Sequence, residues 1–116
     1  MKISRFEDIL AWQKAIDLAV VCRRLFRVCK DYPFLDQLFR AILSISNNIA
    51  EGFERKGDKE FRKFLFIAKG SCGEVRSMLY LARKFNYIQK DDLENLFDRY
   101  LEISKILSGL IKSVNS

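Results

Sequence analysis

The sequence has no histidine, and it has only one proline, five glycines and three cysteines among 116 residues. The lack of histidine removes the commonest general base and metal ligand, and with it the Glu-x-x-His motif of di-iron helix bundles. The sequence also has no Walker A or GxGxxG motif, so no phosphate-binding loop is predicted. We therefore expect a protein that is not an enzyme and that uses no metal or cofactor.

The three cysteines, Cys22, Cys29 and Cys72, suggest a reducing compartment and small core side chains. Cys22 and Cys29 fall on one predicted helix about 10 Å apart, which is too far for a disulfide.

The N-terminal stretch has no apolar signal-peptide core, and no apolar run approaches the roughly 18 residues of a membrane span. We expect a cytoplasmic protein that does not cross or bind a membrane.

Composition bounds the size and charge of the protein. With 49% apolar residues, the chain is not of the disordered class, and residues 1–116 are expected to form a single domain. Twenty-one basic and 15 acidic residues give a net charge of +6. That charge favours an acidic partner such as nucleic acid, but it also serves plain solubility, and composition alone leaves both interpretations open.

The centre of the chain, from Leu35 to Ser71, predicts two helices joined by a polar break at Glu54–Asp58. Before the break, apolar residues recur every three or four positions, as on one face of an α-helix. After it, apolar spacings alternate between four and three, a period of 3.5 that is typical of bundle helices. This second set, called the α3 seam below, comprises Phe61, Leu65, Ala68, Cys72, Val75, Leu79 and Ala82. The centre is therefore predicted to be an αα-hairpin.

Two further helices are predicted to cover this hairpin. Tyr32-Pro33 should end the first, because the residue before proline disfavours the α region, and a capping box of Asp91 and Glu94 should begin the last. The predicted bounds are Glu7–Lys30 for the first helix, from after Pro33 to Phe53 for the second, Asp58–Phe85 for the third, and a start at Asp91 for the fourth. Short connections make consecutive helices antiparallel, so the predicted fold is an all-α, antiparallel up-down-up-down four-helix bundle.

Three glycines and one serine inside these helices carry local predictions. Gly52 marks either the unwinding of its helix or a close helix contact. Gly70 and Gly73 each lower the stability of a helix interior by about 1 kcal/mol relative to alanine. Such a residue suggests either that a neighbouring helix approaches closely or that the site is exposed to solvent and under little constraint. The Ser46 hydroxyl is expected to bond back to the carbonyl of Ile42.

Two segments resemble a known protein family. The segment DQLFRAILSISNNIAEGFERKGDKEFRKFLFIAKGS, from Asp36 to Ser71, is similar to the central signature of four-helix-bundle proteins encoded in intervening sequences of bacterial 23S rRNA genes. AWQKAIDLA, from Ala11 to Ala19, is similar to the first helix of the same family. The resemblance implies a basic bundle that assembles into a closed ring of five subunits. The family commonly has proline where Ser46 stands.

Two sets of basic residues are candidates for nucleic-acid binding. The first set has no acidic residue among its members and comprises Arg23, Arg24, Arg27 and Lys30. The second set is diluted by acidic residues and comprises Arg55, Lys56, Lys59, Arg62, Lys63 and Lys69. On the third helix, Arg62 and Lys69 share the polar arc with Arg76 and with the aromatic residues Phe66 and Tyr80. Aromatic rings interleaved with cations can hold single-stranded nucleic acid by stacking and phosphate contact.

The apolar residues on the polar arcs have another explanation. Val20, Val21 and Val28 of the first helix, with Phe66 and Tyr80 of the third, would form exposed apolar patches on a monomer, and such patches usually mark interfaces. For the two rings the pattern favours burial against a neighbouring subunit. We expect a homo-oligomer in which both helices contribute to a closed ring, which the family resemblance makes a pentamer.

Two functional hypotheses follow. The first is a non-enzymatic oligomeric bundle that associates with RNA or DNA through its basic faces. The second is an oligomeric scaffold or accessory protein that recruits a protein partner such as a reverse transcriptase, as related bundles do. Phosphate binding should weaken steeply with salt, whereas an apolar protein contact should not.

Overall fold

The computed structural model describes residues 3–114 and contains a short 3₁₀ turn followed by four α-helices. The helices are α1 (Leu10–Leu25), α2 (Tyr32–Glu54), α3 (Asp58–Lys84) and α4 (Lys90–Ser113). α1 packs beside α2 and α4, and α3 packs beside the same two helices on the opposite side of the bundle. Short connections reverse the chain between consecutive helices. The predicted all-α, antiparallel up-down-up-down four-helix bundle is confirmed.

The α3 seam lies at the centre of the core, as its period predicts. Every member is at most 5% exposed, and α3 packs against α2 on one side and α4 on the other. The small side chains of Ala68 and Ala82 alternate with the larger Leu65 and Leu79, which lets both neighbouring helices approach closely. Tyr100 of α4 is fully buried in the same core.

α1 is shorter at both ends than the predicted span of Glu7 to Lys30. At its start, Phe6–Asp8 form the 3₁₀ turn and Ile9 is extended, with φ −77° and ψ 120°. At its end, Phe26 leaves helical geometry. Ile9 and Phe26 are nevertheless buried in the core. Phe26 continues the apolar spacing of α1 past the end of the helix. Ile9 lies nearly opposite that apolar face at 100° per residue, and it is buried because the backbone there is extended and not helical.

The start of α2 is fixed by Asp31. Its carboxylate accepts a hydrogen bond from the backbone N–H of Phe34 at 3.2 Å and another from the hydroxyl of Tyr87. The second bond raises the pKa of Tyr87 to about 12. Pro33 lies in the first turn of α2, where a backbone N–H is not needed. Tyr32-Pro33 therefore opens α2, and the prediction that it ends the preceding helix was wrong.

α4 begins earlier than predicted. Gln89 is its N-cap, and the Gln89 backbone N–H donates to the Asp92 carboxylate at 3.2 Å. The predicted capping box of Asp91 with Glu94 was wrong, since Asp91 and Asp92 lie in the first turn of the helix. Ile88, just before the cap, is buried in the core.

Serines of α2 form hydrogen bonds within the helix and across to α3. The Ser44 and Ser71 hydroxyl oxygens are 2.9 Å apart, which links the two helices. The Ser46 hydroxyl donates to the carbonyl of Leu43 at 3.4 Å. The predicted acceptor, Ile42, was wrong because the hydroxyl lies nearer the carbonyl three residues back than the one four back.

The glycines differ in what surrounds them. A Cβ at Gly52 would clash with the Cβ of Phe64, so this glycine permits the close contact between α2 and α3. Gly70 has nothing within 4 Å of where its Cβ would lie, and Gly73 has only the side chain of Arg76 at 3.9 Å. Close approach within the bundle therefore explains Gly52 but not Gly70 or Gly73.

The α3 seam predicts the stability of two variants. Leu65→Ala and Leu79→Ala should each lower the free energy of unfolding by about 2–5 kcal/mol, because both side chains are fully buried. Urea denaturation measures the change, with the exposed Leu10→Ala as a control expected to stay within about 0.5 kcal/mol. A loss below about 0.5 kcal/mol at both seam positions would show that the seam is not the core.

The glycines give a second prediction. Gly70→Ala should stabilise the bundle by about 1 kcal/mol, since alanine favours the helix and the added methyl meets open space. Gly52→Ala should destabilise it, because the methyl overlaps Phe64. Thermal unfolding of the two variants compares the same chemical change at an open and a closed site. If both variants changed the melting temperature equally and in the same direction, the proposed close contact at Gly52 would be contradicted.

Candidate nucleic-acid interface

The first basic set lies at the C-terminal end of α1. Arg23 and Arg24 occupy the last turn of α1, where positive charge interacts favourably with the helix dipole. Arg27 lies in the turn that follows, and Lys30 lies in the connection to α2. All four side chains are exposed, and none has a carboxylate within 4 Å among residues 3–114. The set is therefore a cluster around the end of a helix and not a stripe along one.

A shallow apolar groove runs between α1 and α2 beside this cluster. We call it the α1–α2 groove, and it is lined by Ala19, Val20, Arg23, Phe39 and Leu43. Its continuation toward the helix ends shares Arg23 and Phe39 and adds Arg27 at the rim. The groove therefore combines an apolar floor with two cations that have no carboxylate partner.

The second basic set divides into two groups. Arg55 is compensated, since its guanidinium lies 2.6 Å from the Glu51 carboxylate and 3.7 Å from that of Glu60. Its guanidinium carbon also lies 5.0 Å from the centre of the Phe64 ring. The group with no carboxylate within 4 Å among the described residues comprises Lys56, Lys59, Arg62, Lys63 and Lys69.

Arg62 and Lys69, two of these uncompensated cations, belong to a surface shared by α3 and α4. We call it the α3–α4 face, and its residues are Arg62, Phe66, Lys69, Arg76, Tyr80, Phe97 and Lys112. Arg62 is held in place, because its Nε donates to the Ile111 carbonyl at 3.2 Å and its guanidinium carbon lies 5.6 Å from the centre of the Phe66 ring. The cations and rings predicted on one arc of α3 are therefore together on the surface.

The other end of this face is built around Phe97. The Tyr80 and Phe97 rings lie 5.2 Å apart between centres and are tilted by 58°. The Arg76 guanidinium carbon lies 5.8 Å from the centre of the Phe97 ring. Its Nη1 is buried and has no hydrogen-bond partner among residues 3–114. The sequence analysis missed the contributions of Phe97 and Lys112, because helical periodicity does not reveal which face of α4 adjoins α3.

The structure separates the residues predicted at subunit contacts. Val20 is 46% exposed in the α1–α2 groove, and Val28 is 77% exposed in the turn after α1. Val21 is half-buried against the bundle's own core, so it contributes less free surface than predicted. Phe66 and Tyr80 are each 53% exposed on the α3–α4 face. The placement of all five residues at a subunit interface stays a prediction.

Buried thiols give the core no reactive nucleophile at neutral pH. Burial raises the pKa of Cys72 to about 12, and burial also raises the pKa of Cys22, whose sulfur lies 3.5 Å from the Tyr100 hydroxyl. All three cysteines are free.

Residues 3–114 contain no group of three or more His, Cys, Asp or Glu side chains that could hold a metal ion. None of the described helices is long and apolar enough to cross a membrane.

Comparison with known families gives a match over most of the chain. A family model described as 23S rRNA-intervening sequence protein matches residues 7–109. The chain belongs to this family. The resemblance read from the two sequence segments is thereby confirmed. A comparison with curated proteins found no match.

A solved structure supports the same family assignment. It is a protein with unknown function from the S23 ribosomal protein family of Bacteroides thetaiotaomicron VPI-5482, and it is 25% identical to this chain with a TM-score of 0.82. The similarity covers 90% of this chain and 96% of that chain. The part matched by the 23S rRNA-intervening sequence family, residues 7–109, contains both basic sets and the aromatic rings of the α3–α4 face, and ends before Lys112.

Proposed function

We propose that this family member is a non-enzymatic, cytoplasmic, oligomeric four-helix bundle that associates with RNA or DNA through its basic faces. The observation that carries the proposal is the juxtaposition of uncompensated cations with exposed aromatic and aliphatic side chains, beside both α1 and α3. The three free cysteines fit a reducing cytoplasm.

The distribution of ion pairs supports nucleic acid as the partner. Among residues 3–114, the cations with a carboxylate within 4 Å are Arg5, Lys14 and Arg55, which leaves both basic sets largely uncompensated. Unpaired surface cations of this density attract phosphate and release its counterions on binding. The net charge of +6 acts in the same direction.

The exposed apolar residues support self-association. α1 and α3 occupy opposite positions in the bundle, so apolar surface on one faces away from apolar surface on the other. A head-to-tail contact between such surfaces closes into a ring when the rotation permits it, and a pentamer is the ring we propose. Val20 and Val28 would supply one side of the contact. α3 offers Phe66 and Tyr80 toward α4, and Ile67 and Leu81, which are 42% and 44% exposed, toward α2.

The α1–α2 groove favours a second candidate function. Its floor is apolar, and such a groove can accept the apolar face of a partner helix. The alternative is thus an oligomeric scaffold that recruits a protein partner, for which a reverse transcriptase is one candidate. Salt discriminates between the two, because the free energy of phosphate binding falls steeply with salt and that of apolar contact does not.

The first basic set predicts a change in nucleic-acid affinity. Changing Arg23, Arg24 and Arg27 together to Ser should weaken binding and flatten its salt dependence, because up to three phosphate contacts are lost. Filter binding across a salt series measures both. As a control, Arg5→Ser with Lys14→Ser removes cations already paired with carboxylates and should have a smaller effect. Unchanged affinity and salt slope in the triple variant would remove this cluster from the interface.

The exposed apolar residues predict the mass in solution. Light scattering after size exclusion should give about five times the chain mass of 13.6 kDa. Val20→Glu should lower that mass, since it places a charge in an apolar contact. Gln13→Glu, on the exposed surface of α1, is the matched control and should leave the mass unchanged. A monomer at micromolar concentration would exclude the ring, and an unchanged oligomer in Val20→Glu would exclude this face.

A further inference from the structure

The α3–α4 face combines half-exposed rings with cations that have no carboxylate within 4 Å and a guanidinium nitrogen that has no acceptor, both counted over residues 3–114. We propose that this face binds single-stranded nucleic acid, with unpaired bases stacked on Phe66 and Tyr80 and phosphates held by the cations between and beside them. The inference rests on the nucleic-acid association proposed above, and it adds the strand type and the residues.

The rings point to unpaired bases. In a duplex the base faces are stacked on one another, so a protein ring reaches a base face only when the base is unpaired. Phe66 and Tyr80 are each 53% exposed, which leaves a ring surface free for stacking. Both are also held in position, Phe66 by the Arg62 guanidinium and Tyr80 by the Phe97 ring. Ordered rings lose less side-chain entropy when a ligand binds.

The cations point to phosphate. Arg62, Lys69, Arg76 and Lys112 have no carboxylate within 4 Å among the described residues. The buried Nη1 of Arg76 has no hydrogen-bond acceptor within the part of the chain that the structure describes, and leaving such a group unsatisfied is unfavourable. The Arg76 side chain is half-exposed, so outward rotation would bring this nitrogen to a phosphate oxygen.

The spacing fits a short single strand. Phe66 and Tyr80 are separated by fourteen positions on α3, or about 21 Å at 1.5 Å per residue. At about 3.4 Å per stacked nucleotide, roughly six nucleotides span the two rings. That length lies within the roughly 4–16 nucleotides covered by known single-strand binding modules.

Charge makes a second copy of this chain a poorer ligand for the α3–α4 face than nucleic acid. Docking the α1–α2 groove onto this face would bring Arg23 and Arg27 toward Arg62, Lys69 and Arg76. Like charges facing one another across an interface oppose association. A phosphate backbone is complementary to the same cations. Ile67 and Leu81 on the other side of α3 then remain available for a subunit contact.

The test measures anisotropy of labelled oligonucleotides of about 20 nucleotides, single-stranded or duplex, with the full chain at several salt concentrations. Phe66→Ala with Tyr80→Ala should weaken single-strand binding by about 5- to 150-fold for each base that loses its stacking partner, without changing the salt slope. Lys69→Gln with Lys112→Gln should instead flatten the slope by about 1.4 units, since each lost phosphate contact contributes about 0.7 on a single strand. Duplex binding should respond much less to the loss of the rings.

Leu10→Ala is the control, because Leu10 is 51% exposed at the start of α1 and lies outside both this face and the first basic set. It should leave single-strand affinity unchanged. If single strands and duplexes bind alike and the ring variant changes neither, the inference fails while the proposed function stands. If neither form binds at low salt, the proposed function fails too. If light scattering shows that the ring variant has lost its oligomeric mass, the rings are a subunit contact and the inference is overturned.

Discussion

Burial of the α3 seam is the interaction on which the rest of the bundle depends. Its residues are at most 5% exposed, and they place α3 against both α2 and α4. The small side chains in the seam allow that double contact, and Gly52 extends it by letting α2 approach Phe64. α1 then closes the bundle against α2 and α4, on the side of the bundle opposite α3. The seam thus determines which helices are neighbours and which are on opposite sides.

The candidate surfaces follow from the same packing. Because the seam uses one side of α3, the opposite side carries Phe66 and Tyr80 outward to the junction with α4. There Phe97 and Lys112 join them, and Arg62 is fixed by the Ile111 carbonyl. On the far side of the bundle, the end of α1 brings Arg23 to the rim of an apolar groove. On both surfaces, cations and apolar side chains lie side by side.

Helix ends show where the sequence pattern fails and why. Phe26 keeps the apolar spacing of α1 although the helix has ended there, whereas Ile9 is buried from an extended backbone at a position outside that spacing. Asp31 accepts hydrogen bonds from Phe34 and from Tyr87, a residue 56 positions away. The bond to Phe34 is local, and Asp31 before Pro33 is a helix-start signal that the sequence carries, whereas the bond to Tyr87 depends on the fold. The start of α4 is displaced because Gln89 caps the helix, although glutamine is not a preferred N-cap residue.

The sequence by itself determined the four helices, the αα-hairpin, the α3 seam and the family, because periodic burial and local segments are properties of neighbouring residues. It also placed Arg62, Phe66, Lys69, Arg76 and Tyr80 on one arc of α3. Only the tertiary structure decided that Phe97 and Lys112 complete that surface and that Val21 turns partly inward. Those outcomes depend on which helix lies beside which and on the rotation of each about its axis. The neighbours of each helix and its rotation about its own axis are set by packing between residues that are far apart in the chain.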